Sequence, residues 1–146
     1  MNYKKLLITL AISAVLMYLM MFLNMNSIND YYTSLTRIYM AVMMICPMAI
    51  LMIIMMEKMY PNKKYNRIII VASALVFALT LTGIRKQVPI DDEQYLKAMI
   101  PHHSSAIMTS RNADIKDPEV RKLADSIIRS QQREIDEMKR MIERLR

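Results

Sequence analysis

IYMAVMMICPMAILMIIMM, residues 38–56, is a run of 19 residues without a charged side chain. A helix needs about 20 mostly apolar residues to cross the hydrocarbon core of a bilayer. Two further runs of this kind flank it in the sequence, LLITLAISAVLMYLMMFL at 6–23 and IIIVASALVFALTLTGI at 68–84. The sequence therefore predicts a membrane domain of three transmembrane helices within residues 1–88.

The first apolar run has a second interpretation as a cleaved signal peptide, because Lys4 and Lys5 precede it. Its 18 residues are many for such a peptide, and the following NMNSIND is not a small-residue cleavage pattern. A retained transmembrane helix is therefore the favoured interpretation.

The net charge of +7 belongs entirely to the membrane part of the chain. Residues 1–90 hold nine basic and two acidic residues, whereas residues 91–146 hold eleven of each. A basic nucleic-acid-binding domain is therefore not expected. Lys and Arg concentrate before the first helix and between the second and third, which predicts a cytoplasmic N-terminus. We expect a multi-pass protein of a bacterial inner membrane, with its C-terminal domain in the periplasm or outside the cell.

Residues 89–146 form a second predicted domain that consists of two helices. Asp residues at 91–92 can cap the first helix, and the Asp-Pro pair at 117–118 is typical of a second helix start. Apolar residues follow helical spacing from 120 to 145. Because so short a hairpin buries little apolar surface, we expect two copies to pair into a four-helix bundle, as a homodimer or higher oligomer.

The two histidines of the chain are adjacent, in MIPHHSSAIM at 99–108. On the predicted helix, His103 shares the apolar face with Met99, and His102 lies one position round. Two interpretations are open. The first is a buried histidine that is hydrogen-bonded to a polar residue of the second helix, such as Glu134. The second is a metal site in which imidazole and thioether groups bind Cu(I), with silver and zinc as the alternative ions.

The candidate ligands on the two helices are His102, His103, Met99, Met108, Glu134, Met138 and Met141. A metalloenzyme on a helical bundle usually needs carboxylate-rich ligation such as Glu-x-x-His. The sequence contains no Glu-x-x-His, and it shows neither a nucleophile-base pair nor a glycine-rich phosphate loop. The sequence therefore does not predict an enzyme.

MIPHHSSAI at 99–107 followed by PEVRKLADSIIRSQQREIDEM at 118–138 resembles the family known as domain of unknown function 305. Members of that family are ferritin-like helical bundles, often secreted or membrane-attached, and some are similar to periplasmic copper-binding proteins rich in Met and His. The resemblance implies ligand roles for Met99, His102, His103, Glu134 and Met138. The family commonly has a methionine at the position of Thr109, whereas this chain has Met108 one residue earlier.

The second apolar run carries methionines at strict four-residue intervals: Met40, Met44, Met48, Met52 and Met56. The run at 68–84 has no methionine, so methionine is not simply the default apolar residue of this chain. One interpretation is that these methionines form a thioether ladder that passes Cu(I) through the membrane or holds it there, with Cys46 as a further ligand. The other is flexible side chains that pack well at irregular helix contacts.

The sequence thus predicts an all-α protein with three transmembrane helices followed by an extracytoplasmic helical hairpin, half of a ferritin-like four-helix bundle. Its predicted function is Cu(I) binding through His and Met, in copper homeostasis or resistance. The alternative is a membrane-anchored dimerisation module with structural histidines and no metal. The expected partners are a metal ion, the lipid bilayer and a second copy of the chain.

Overall fold

The computed structural model describes residues 3–145, and every regular element in this range is helical. The five α-helices are α1 Tyr3–Met20, α2 Leu35–Met55, α3 Lys63–Lys86, α4 Asp92–Asn112 and α5 Pro118–Leu145. Two short 3-10 helices, Ile28–Asp30 and Glu57–Met59, lie in the first two connections. The all-α fold class predicted from the sequence is confirmed.

The helices α1, α2 and α3 are each long and apolar enough to cross a membrane. Their apolar side chains point mostly outward: no residue in the apolar stretch of α3 is buried, and Leu79 is 72% exposed. Apolar surface of this extent is unusual on a water-soluble protein and suits contact with lipid. The prediction of three helices of membrane-spanning length is confirmed.

The start of α1, the end of α2 and the start of α3 meet in a small apolar cluster. Leu6, Ile53 and Tyr60 are buried there. The Tyr3 hydroxyl donates to Asn66 Oδ1 at 2.8 Å, and the Tyr3 ring lies 5.3 Å from the Tyr60 ring. The N-terminus of α1 therefore packs beside the connection between α2 and α3.

The chain divides into two compact units. The membrane unit comprises α1 and residues Thr36–Pro89, and the C-terminal unit comprises Met21–Leu35 together with the chain from Ile90 onward. The division after Pro89 lies one residue from the boundary that the sequence predicts. The connection between α1 and α2, however, belongs to the C-terminal unit, which the sequence did not reveal.

The first apolar helix ends at Met20, three residues before the end predicted at residue 23. Phe22 is only 7% exposed, and its ring centroid lies 4.5 Å from that of Tyr31 in the following connection. Hydropathy cannot distinguish an apolar side chain buried against protein from one in a lipid-facing helix, which explains the difference.

The helices α4 and α5 form an antiparallel pair joined by residues 113–117. Asp91 caps α4 by accepting a hydrogen bond from the backbone N–H three residues on, at 2.7 Å. Asp117 caps α5 by accepting from two N–H groups of its first turn, both at 2.9 Å. Pro118 occupies the first helical position, where its missing N–H removes no intrahelical bond. The helix starts predicted at these residues are confirmed.

The core of this pair consists of Leu96, Ile100 and Ile107 from α4 and Ile135, Met138 and Ile142 from α5. The helix α4 continues through Pro101, whose side chain is fully buried. Tyr32 from the connection between α1 and α2 packs against the core. The connection between α1 and α2 therefore covers part of the helix pair. The expectation that a second copy covers it did not include this contribution.

Candidate metal-binding site

His103 on α4 and Glu134 on α5 face each other. His103 Nε2 lies 3.7 Å from Glu134 Oε2, a separation longer than a hydrogen bond. The other carboxylate oxygen accepts a hydrogen bond from Ser130 Oγ at 2.6 Å. The His103 side chain is 13% exposed and that of Glu134 is 40% exposed. The structure thus brings these two predicted residues together at the margin of the core.

The second ring nitrogen of His103 is unsatisfied. Its Nδ1 is buried and has no hydrogen-bond partner among residues 3–145. Burial lowers the pKa of His103 below its ordinary value of 6.5; the carboxylate of Glu134 opposes this shift, and His102 adds to it. Because desolvation disfavours the charged form, the ring is neutral at neutral pH. Neutral imidazole is the form that binds a metal ion.

Two methionines lie one helical turn from this histidine. The helices α4 and α5 run antiparallel, so two facing positions have a second facing pair one turn away. This pair lies four residues earlier in α4 and four residues later in α5. From His103 and Glu134 these steps lead to Met99, which is partly buried and packs against the core, and to Met138, which is buried in it. Since four residues advance a helix by about 6 Å, the positions of Met99 and Met138 form the layer next to that of His103.

The remaining candidates on the two helices are placed differently. His102 is exposed, and its ring is tilted 58° from that of His103 with 6.0 Å between centroids. Met141 packs at the edge of the core. Met108 lies five residues after His103, about 140° round the helix, and is outside the core cluster. His102 and Met108 therefore do not join the group formed around His103.

The donor set restricts which ions suit this position. Within the described range 3–145, no three His, Cys, Asp or Glu side chains come together in a way that could hold a metal ion. Structural zinc sites and carboxylate-rich iron sites need three or four such ligands. Among the donors near His103, methionine sulfur is a soft ligand of the kind that selects Cu(I).

The methionines of α2 do not share one face. A four-residue step advances about 40° beyond a full helical turn, so a ladder of such steps winds round the helix. Met40 and Met44 are each 38% exposed, whereas Met52 and Met56, which directly follows the end of α2, pack against the cluster around Leu6. The ladder therefore runs from the outer surface of the membrane unit into its packed interior.

Cys46 lies on another side of α2. Its side chain is buried, and its Sγ donates to the carbonyl oxygen of Val42 at 3.3 Å. Met44 and Met48 are each two residues away, which places them about 160° round the helix from the thiol. The structure does not bring Cys46 to the nearest members of the methionine ladder.

A buried polar network ties the connection between α1 and α2 to both helices of the C-terminal unit. Asp30 is 5% exposed and accepts hydrogen bonds from Ser104 Oγ at 2.6 Å and from Lys139 Nζ at 2.7 Å. Ser104 Oγ in turn accepts from the backbone N–H of Asn26 at 2.9 Å. A buried carboxylate is costly unless it is paired and hydrogen-bonded, and here it is both.

Sequence reasoning missed this network. Its one signal was that Asp30 is one of only two acidic residues within residues 1–90. Its partners Ser104 and Lys139 lie 74 and 109 residues further along the chain. No local pattern connects residues so far apart.

Residues 77–142 match the family described as Domain of unknown function (DUF305). The matched stretch contains all of α4 and most of α5. His103, Glu134, Met99 and Met138 therefore all lie within the region that is typical of this family.

The Uncharacterized protein L153 of Acanthamoeba polyphaga mimivirus is 38% identical to this chain over 120 residues, which cover 81% of this chain and 77% of the viral protein. This similarity is longer than the C-terminal unit, so it includes part of the membrane helices. No solved structure matches the chain. By the domain match and the extended similarity together, the chain belongs to the DUF305 family.

Proposed function

We propose that this protein is a membrane-anchored Cu(I)-binding protein that acts as a buffer or chaperone in copper homeostasis or resistance. The observation that carries the proposal is the buried Nδ1 of His103, which has no hydrogen-bond partner among residues 3–145 and lies one layer from the buried Met138 and the partly buried Met99. Neutral imidazole and thioether sulfur together are Cu(I) ligands, and Ag(I) binds such donors by the same softness.

The state of His103 supports a ligand role over a purely structural one. A histidine kept for packing normally satisfies its ring nitrogens with hydrogen bonds. Among residues 3–145, one ring nitrogen of His103 has no partner and the other is 3.7 Å from a carboxylate oxygen. A buried polar atom left unsatisfied costs about 1–3 kcal/mol, and a bound metal ion would remove that cost.

We propose that the N-terminus is cytoplasmic and that the C-terminal unit lies on the opposite side of the membrane, because of which segments pack together. Met21–Leu35 and the chain from Ile90 onward belong to one unit. The two helices α2 and α3 lie between these segments, and two membrane crossings return the chain to the same side. Tyr3, at the start of α1, packs against the connection between α2 and α3 in the membrane unit. The start of α1 and the connection between α2 and α3 are both rich in Lys, which favours the cytoplasmic side for both. The bacterial inner membrane as the location stays a prediction.

For the C-terminal unit we propose a ferritin-like arrangement in which two copies complete a four-helix bundle. Apolar side chains on α5 leave surface for a second copy, because Val120, Leu123 and Leu145 are 50%, 61% and 46% exposed. The same surface favours a second candidate function, a membrane-anchored dimerisation module with structural histidines.

An anaerobic Cu(I) competition titration of the full chain in nanodiscs tests the metal site. The full chain is needed because Met21–Leu35 belongs to the C-terminal unit. We expect saturable Cu(I) binding, with affinity at least about tenfold lower in His103→Ala because a first ligand is lost. His102→Ala is the matched control, the same substitution at the adjacent exposed position, and should lower affinity less.

Equal effects of the two substitutions would contradict a site centred on His103. His103→Gln is a second variant that keeps a polar side chain, in case His103→Ala fails to fold. Absence of Cu(I) binding by the wild type, together with a smaller dimer fraction in His103→Gln, would support the dimerisation module instead.

A further inference from the structure

A cleft of about 500 Å³ lies on the surface of the C-terminal unit, on a face of α5 other than the one that carries Glu134. Four arginines dominate its lining, Arg111 from α4 and Arg129, Arg133 and Arg140 from α5. Gln132 and Asp136 complete its polar lining. We call this feature the arginine cleft. The equal numbers of acidic and basic residues within 91–146 conceal this local excess of positive charge.

The α5 arginines recur at helical spacing. Arg133 lies four residues after Arg129, and Arg140 lies seven residues after Arg133. The three arginines therefore lie along one side of the helix. Like charges four residues apart repel each other and destabilise a helix. Helix propensity does not require arginine here, because Gln, Glu and Lys form helices almost equally well. Helix propensity alone therefore does not explain why arginine occupies all three positions.

None of these four guanidinium groups belongs to an ion pair within residues 3–145. Arg111 donates a hydrogen bond to Asn26 Oδ1 at 2.7 Å, which fixes it without neutralising its charge. Asp136 precedes Arg140 by four residues, a spacing that favours pairing, yet its carboxylate accepts from Gln132 Nε2 at 3.1 Å. Four guanidinium groups and the single carboxylate of Asp136 therefore leave the lining of the cleft with a net positive charge.

Other basic residues of the same unit are used differently. Arg121 Nη2 pairs with Asp125 at 2.8 Å and donates to the carbonyl oxygen of Ser110 at 3.0 Å. Lys139 pairs with the buried Asp30. These residues join parts of the fold, whereas the arginines of the cleft surround an open space.

We propose that the arginine cleft binds a phosphate-bearing anion. A guanidinium group presents a planar fork of N–H donors that matches two oxygens of a phosphate. Several such forks around one concavity suit a ligand with more than one anionic oxygen, such as a diphosphate or a phosphorylated headgroup. The volume of the cleft is within the range of about 300–1,000 Å³ that is usual for small-molecule sites.

Titration of the full chain with pyrophosphate, in nanodiscs of phosphatidylcholine and followed by calorimetry, tests the proposal. We expect saturable binding that is at least about tenfold weaker in Arg129→Gln/Arg133→Gln, because charge-assisted, bidentate hydrogen bonds are lost. The matched control is Lys122→Gln/Arg144→Gln, which removes equal charge from exposed positions of the same helix outside the cleft. Salt screens remote charges, so the control should change affinity less than about twofold.

The variant Arg129→Lys/Arg133→Lys keeps the charge and removes the forks. It should also weaken binding, and it keeps the test valid if the glutamine variant unfolds. No saturable pyrophosphate binding, or equal losses in the cleft and control variants, would overturn the proposal. Binding of a glutamate-rich peptide in place of pyrophosphate would also overturn it, in favour of an acidic protein partner.

Nanodiscs that contain phosphatidylglycerol distinguish the two sources of such an anion. If lipid headgroups occupy the cleft, pyrophosphate affinity of the wild type falls in these discs relative to phosphatidylcholine, and that of the control variant falls equally. If the natural ligand is a soluble phosphate compound, the affinity is the same in both membranes. Either result supports an anion site and identifies where its ligand comes from.

Discussion

The methionines of α2 and those of the C-terminal unit have the same side chain in different surroundings. Met138 is buried in a protein core and the partly buried Met99 packs against that core, in the layer next to a neutral histidine whose Nδ1 has no hydrogen-bond partner among residues 3–145. Met40 and Met44 are 38% exposed on a helix of membrane-spanning length, in a unit that has no histidine. A thioether is a credible metal ligand where a second donor converges on it, and elsewhere it is apolar surface.

Apolar residues show the same contrast. Ile135 is fully buried in the C-terminal core, whereas Leu79 on α3 is 72% exposed. Burial in a close-packed core stabilises a fold through both the hydrophobic effect and dispersion. Apolar side chains that face lipid gain little from moving into protein, because lipid tails are equally apolar. Substitutions in the two units should therefore have unequal effects.

The largest expected effect is on the C-terminal core. Ile135→Ala should lower the free energy of unfolding of this unit by about 2–5 kcal/mol, because it leaves a cavity among packed side chains. Leu79→Ala should leave that free energy unchanged. Denaturant unfolding in nanodiscs, followed by hydrogen exchange of α4 and α5 amides, measures both. Similar losses in the two variants would refute the contrast between the units.

The next largest effect concerns the polar network. Asp30→Ala leaves Ser104 Oγ and Lys139 Nζ without their acceptor, and we expect a loss of about 2–3 kcal/mol. Lys139 keeps some solvent contact, 29% of its side chain, which limits the cost. Asp30→Ala should also raise the rate of hydrogen exchange of the backbone amides at 26–32.

Asp114→Ala is the control for this experiment. It removes an ion pair with Lys116 in which both side chains are more than 80% exposed, so stability should not change measurably. Unchanged protection at 26–32 in Asp30→Ala would mean that the network does not hold the connection to the helices.

A smaller effect separates the two methionine groups directly. Met99→Leu/Met138→Leu keeps the volume of the core and removes both sulfur donors, so Cu(I) affinity should fall about tenfold. Met44→Leu/Met52→Leu should leave the affinity of the full chain unchanged. Anaerobic competition titrations of both variants measure this difference. A loss confined to the α2 variant would shift the metal site to the membrane unit.

The smallest expected effect of a substitution is on the pH dependence of the stability of the metal-free protein. The unfolded chain protonates His103 near pH 6.5, whereas burial lowers the pKa in the folded chain. The unfolded chain therefore binds the proton first, and the metal-free protein loses stability as pH falls below about 6.5, until the folded pKa is passed. His103→Gln should lack this loss when unfolding midpoints are compared between about pH 7.5 and 5.5.

Cu(I) affinity should follow the lowered pKa of the folded state. Because the imidazole stays neutral as pH falls through 6.5, affinity should persist there and fall only at lower pH. Titrations at the same pH values check this. An affinity that already declines at the ordinary histidine pKa would show that burial does not protect the ring.

Much of the fold could be predicted from the sequence because its signals are local. Apolar runs of sufficient length specify α1 to α3, and Asp91 and the Asp117-Pro118 pair specify the starts of α4 and α5 by bonding to nearby N–H groups. The spacing of apolar residues along α4 and α5 specifies the faces that meet. Each of these signals depends on residues within a few positions of each other.

The sequence by itself thus determined the helices, their apolar faces and the pair of histidines. Only the tertiary structure decided that Met21–Leu35 joins the C-terminal unit, that Glu134 faces His103, and that arginines without an ion pair among residues 3–145 surround a cleft. These features depend on contacts between residues distant in the chain. Helical periodicity states which side of a helix a residue occupies, but not what packs against that side.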